Sequence, residues 1–130
     1  MNEHIYFLDQ TQRAIARALV AELFKADGVV TRNETIYNTI LERALQTDVV
    51  LTDDAYNLVS KHFTTPQHKF FLVSTLFTAA FMDGIAHPNE MKLIADLVAQ
   101  LQIPADKLKQ IMFWSQREAL QINEALDFSL

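Results

Sequence analysis

Residues 65–84 read TPQHKFFLVSTLFTAAFMDG, and the conformation of this stretch decides the architecture. Thr65-Pro66 is a helix start: a hydroxyl able to cap, then proline at the first helical position, where an amide donor is not needed. From Phe70 to Phe81 apolar residues (Phe70, Phe71, Leu72, Val73, Leu76, Phe77, Phe81) recur nearly all round a helical wheel. A helix without a single apolar stripe is buried on several sides. Gly84 supplies the stop, because glycine accepts the left-handed backbone that ends helices. The apolar run 70–82 is shorter than the ~20 residues needed to cross a bilayer, so the stretch predicts a central core helix rather than a membrane span.

Working upstream, Thr52 is the predicted cap of a helix carrying Tyr56, Val59 and Phe63 inward, with Asp53 and Asp54 in its first turn. Before it, Thr31-Arg-Asn-Glu34 matches a capping box. Ile36, Ile40, Leu41 and Ala44 then form the apolar face of the helix it opens. A first helix is predicted over 9–26, with Ile15, Leu19, Leu23 and Phe24 at helical spacing and Gly28 as its stop. Downstream, His87-Pro88-Asn89-Glu90 repeats the cap, proline and glutamate order. Met91, Ile94, Val98 and Leu101 mark the inner face that follows. Pro104 opens a last helical region to Leu126, with Leu108, Ile111, Met112, Ala119 and Ile122 on its apolar side and an expected break near Ser115.

The composition agrees with this all-helical reading. Half of the 130 residues are hydrophobic, and only 2 Gly and 3 Pro interrupt them. That suits one domain, 1–130, of about six to seven helices. The net charge of −5, with Lys and Arg scattered rather than striped, argues against nucleic acid and anionic membrane surfaces as partners. No cysteine is present, which excludes disulfides, thiolate zinc sites and cysteine nucleophiles and fits a reducing cytoplasm. The N-terminus MNEHIYFLDQTQR lacks the basic and apolar regions of a secretory leader. No Gly-x-Ser-x-Gly, His-Glu-x-x-His, phosphate loop or dinucleotide fingerprint occurs, and no enzyme activity is expected.

One pattern occurs twice. KADGVVTRNE at 25–34 and FMDGIAHPNE at 81–90 each place four residues between Asp-Gly and Asn-Glu, at an offset of 56 residues. The chain therefore reads as two similar halves, each a helix ending in Asp-Gly, a short loop and a helix opening at Asn-Glu. Together with the flanking ALVAELF and LFTAA segments, these motifs resemble the TerB-like family, named for tellurite-resistance TerB. The likeness runs from about residue 12 to residue 108. It implies an all-α domain of about seven helices and an acidic site for metal ions. The site residues carried over by position are Asp27, Glu34, Asp83 and Glu90. It also implies a stress or tellurite-resistance setting and a protein partner, membrane-associated in that family. The spacers here, VVTR and IAHP, contain no acid, and Met82 stands where the first copy has Ala26.

Two readings of the motif follow. Turn and capping chemistry alone accounts for Asp-Gly at a helix end and Glu at the third position of the next helix. Alternatively, if the halves pack together, four carboxylates converge and require a cation. All-oxygen ligation would suit Ca²⁺, Mg²⁺ or Mn²⁺. His87 is a further nitrogen ligand in that case, or a substitute N-cap. His62 and His68 do not share a helical face. In the metal-free case the domain is an interaction module. Of Phe113 and Trp114 one is expected at the surface, and the ALDFSL tail, with Phe128 and Leu130, is expected to dock on its own domain or on a partner.

Overall fold

A computed structural model describes residues 7–26, 31–84 and 86–128. Among these it contains six helices and no strand: α1 (Gln10–Ala26), α2 (Arg32–Ala44), α3 (Ala55–His62), α4 (Pro66–Phe81), α5 (Pro88–Leu101) and α6 (Ala105–Leu126). The expected C-terminal stop of α1, Gly28, lies outside the described residues, as do His4, Asp27 and Leu130.

α4 is the hub. Every residue from Leu72 to Ala80 is buried, and the helix packs against α1, α2, α5 and most extensively α6. Nine consecutive buried positions are possible only because neighbours cover the whole circumference. Three of them are polar. Thr75 Oγ1 donates to Phe71 O at 2.6 Å and Ser74 Oγ to the same carbonyl at 3.3 Å, so these two hydroxyls are satisfied within their own helix, whereas the third, Thr78 Oγ1, makes no hydrogen bond among the described residues. Gly84 ends the segment with φ +88°, its amide donating to Phe81 O at 2.9 Å.

Several sequence expectations need correction. α6 does not break at Ser115; it is one helix of 22 residues. Ser115 is fully buried, and its hydroxyl donates to Ile111 O at 2.8 Å and to Ser74 O of α4 at 3.4 Å. A small side chain lets the two longest-contacting helices approach, and its own back-bond removes the need for a helix end. α3 is capped by Asp54 rather than Thr52: Asp54 Oδ1 accepts the Tyr56 amide at 2.9 Å. Val59 and Phe63 are buried as expected, but Tyr56 is exposed and its hydroxyl donates to Asp96 O of α5 at 3.3 Å. In α2 the inner face is Glu34, Tyr37 and Leu41, continued by Leu45, while Ile36 and Ile40 are only half-buried. In α5 the inner face includes Leu97, with Met91 half-buried.

α5 ends without glycine. Gln102 adopts the left-handed conformation (φ 56°, ψ 45°), and the Ile103 amide reaches back to Val98 O at 3.3 Å. That reversal aims Ile103-Pro104 into the start of α6. Of the aromatic pair, Phe113 is the exposed member, and Trp114 packs edge-on against Phe70 with centroids 5.0 Å apart. Phe128 does not dock on its own domain: it is 73% exposed. No helix among the described residues is long and apolar enough to cross a membrane.

Candidate functional site

The repeated motif builds helix starts. At α2 the Thr31 hydroxyl accepts the Glu34 amide at 3.2 Å, and Glu34 Oε1 accepts the Thr31 amide at 3.3 Å. At α5 Glu90 Oε1 accepts the His87 amide at 3.1 Å. Both glutamates are 1% exposed. Each therefore satisfies a backbone donor that has no partner inside its helix.

The same device opens α1, outside either motif. Asp9 Oδ1 accepts the Gln12 amide at 2.7 Å, and Gln12 Oε1 accepts the Asp9 amide at 2.9 Å. The buried Gln12 also donates Nε2 to His62 O at 2.7 Å and lies 3.1 Å from His68 Nδ1. His62 and His68 thus meet through Gln12, one by its carbonyl and the other by its ring. Asp9-x-x-Gln12 is a capping-box pattern visible in the sequence.

The remaining motif acid among the described residues, Asp83, is held by its own loop. His87 occupies the N-cap position of α5, as its placement before Pro88 predicts, and its ring Nε2 lies 2.7 Å from Asp83 Oδ2. The side chain of Asp83 is 11% exposed and that of His87 38%.

The two motifs face a common hollow of about 460 Å³. Thr31, Arg32 and Asn33 line one side, Met82, Asp83 and Gly84 another, and Asn123 and Asp127 at the end of α6 complete it. Asn123 bridges the two sides. Its Oδ1 accepts Asn33 Nδ2 at 2.9 Å, and its Nδ2 donates to Met82 O at 2.9 Å. Asn33 Nδ2 also donates to Asp127 Oδ1 at 3.2 Å, and Arg32 Nη1 lies 3.9 Å from that oxygen. Sequence reasoning missed Asn123 and Asp127, because nothing local marks a residue that receives a segment 90 positions away.

One turn into α2 lies Tyr37, fully buried. Burial first, and the nearby Glu118 carboxylate second, push its phenol far above the ordinary tyrosine value. This pair was also missed, since Tyr37 and Glu118 are unremarkable in the linear pattern.

Of the four expected metal ligands, Asp27 lies outside the described residues, and Glu34, Asp83 and Glu90 each contact a protein group. Among the described residues no group of three or more His, Cys, Asp or Glu is placed to hold a metal ion. Compared with known proteins, the chain matches no family model and has no significant match to a curated protein or to a solved structure.

Proposed function

We propose that this chain is a TerB-like helical domain acting as a metal-independent interaction module, its Asp-Gly/Asn-Glu motifs serving as paired structural caps. One observation carries the reading: Glu34 and Glu90 are 1% exposed and each accepts the amide of its own N-cap residue. The hydrogen bond fixes one oxygen of each carboxylate on the backbone of its own helix start, and burial leaves little of either side chain open to solvent. The use of Gln12 in the same role at α1 supports a capping rather than ligating purpose. In this reading two similar halves, α1–α2 and α4–α5, are joined by Asn123 across the hollow.

Melting in Ca²⁺, Mg²⁺ and Mn²⁺ at millimolar concentration tests it. The expected outcome is an unchanged curve for each ion. A second reading keeps a divalent cation at Asp27, Glu34, Asp83 and Glu90, and the meeting of both motifs at one hollow favours it. Binding at about 100 times the dissociation constant would add roughly 2.7 kcal/mol, raising the melting temperature by roughly 6–15 °C. Asp83→Asn would abolish that rise and Asp53→Asn, outside the motif, would retain it. Such a pair of results would replace the first reading with the second.

A further inference from the structure

A groove of about 590 Å³ lies away from both motifs. It runs between the first turn of α4 and the first half of α6. Phe70, Ile111 and Trp114 contribute to its apolar floor, and Lys69, Lys107 and Arg117 stand on its rim. Among the described residues no acid lines it.

The cations are placed against the local physics. Lys69 and Lys107 sit in or just after the first turns of their helices, where the helix dipole disfavours positive charge. The chain holds 16 acids against 11 bases, yet no Asp or Glu stands three or four residues from Lys69, Lys107 or Arg117. Among the described residues none of the three forms an ion pair. Three unneutralised cations over an aromatic floor, two of them near helix N-termini and Arg117 in the middle of α6, select an occupant that is both acidic and apolar.

Spacing identifies its class. Lys107 and Arg117 are ten residues apart on one helix, about 15 Å at 1.5 Å per residue. A single-headed amphiphile presents its charge at one point and meets one end of this row. A peptide of three helical turns presents carboxylates at both ends and apolar side chains between them. We infer that the groove between α4 and α6 binds an amphipathic peptide segment of a partner protein, its apolar anchors on Phe70 and Trp114 and its Asp or Glu residues on Lys69, Lys107 and Arg117. The inference rests on the interaction-module reading and supplies its surface.

The test is selection of a random 14-residue peptide library on the purified chain and on a K107E/R117E variant. Both replacements are at exposed positions, and circular dichroism verifies the fold. Enriched peptides are expected to carry acids flanking aromatic or aliphatic anchors. Their binding should shift the emission of Trp114, the only tryptophan, and weaken at least tenfold for K107E/R117E. Replacing the peptide acids by Lys should restore binding to that variant. Enriched peptides without acids, or equal binding to both chains, would overturn the groove assignment while leaving an interaction module elsewhere on the surface. Failure to enrich any peptide, with sodium laurate alone shifting Trp114, would overturn it in favour of a single-headed amphiphile. A cation-induced rise in melting temperature bears on the module reading separately.

Discussion

The starts of α2 and α5 share Asn-Glu in sequence and differ in what they do with it. Glu34 and Glu90 are equivalent: both buried, both accepting the N-cap amide. The cap side chains diverge. Thr31 uses its hydroxyl on the Glu34 amide, whereas the His87 ring contacts Asp83. The asparagines diverge further. Asn33 ties α2 to the end of α6, while Asn89 is exposed and borders a different hollow, with Tyr56 and Asp96. One turn on, Tyr37 has Leu93 at the corresponding place, 56 residues later. What repeats is the satisfaction of backbone donors; Asn123 ties to the first copy through the Asn33 side chain and to the second through the Met82 backbone.

Breaking the shared element should have the largest effect. Glu34→Ala and Glu90→Ala each leave a helix-start amide without its acceptor and should cost about 1–3 kcal/mol, by similar amounts. Thermal or urea unfolding checks this. Loss from one and not the other would show that only one copy depends on its cap.

The next effect separates the copies by pH. Tyr37 is held neutral above its ordinary value by burial and by Glu118. A group whose folded pKa is raised contributes stability below its unfolded value, here about 10, and that contribution is lost as pH rises beyond it. Stability should fall by up to about 1.4 kcal/mol per pH unit above pH 10, and Tyr37→Phe should flatten that part of the slope. Urea denaturation between pH 8 and 11 measures it. An unchanged slope in the variant would remove Tyr37 as the cause.

A smaller contrast lies in the asparagines. Asn33→Ala should cost on the order of 1 kcal/mol through its lost bonds to Asn123 and Asp127, with Asn89→Ala within about 0.5 kcal/mol of the parent. Equal losses would mean that the tie to α6 contributes nothing specific. The smallest expected change comes from making the caps alike. His87→Thr exchanges the contact with Asp83 for a hydroxyl cap, and the two should offset to within about 0.5 kcal/mol. A loss above 1 kcal/mol would give the Asp83–His87 pair a structural weight that Thr31 does not match.

Local chemistry was legible in the chain wherever it acts over three or four residues. Thr31 with Glu34, Thr65 before Pro66 and Gly84 after α4 need only neighbouring backbone, and all three stand where the pattern places them. The all-round apolar run from Phe70 likewise announced a central helix, because no solvent-facing stripe is available to it. Errors appeared where a neighbouring element decided. Ser115 resembles a break, yet it allows α6 to pass close to α4. Tyr56 fits an inward stripe, yet it lies at the surface and bonds to Asp96 and Gln100 of α5.

The sequence by itself determined an all-helical architecture, the central position of α4 and the capping glutamates at the starts of α2 and α5. Those follow from hydrogen bonds and hydrophobic periodicity that close within a few residues. Only the tertiary structure decided that Asn123 would bridge the two motif loops, that Tyr37 would lie beside Glu118, and that Lys69 would join Lys107 and Arg117 around Trp114. Each of these joins residues about 40 to 90 positions apart. Their meeting depends on how the helices pack, and no local spacing encodes that geometry.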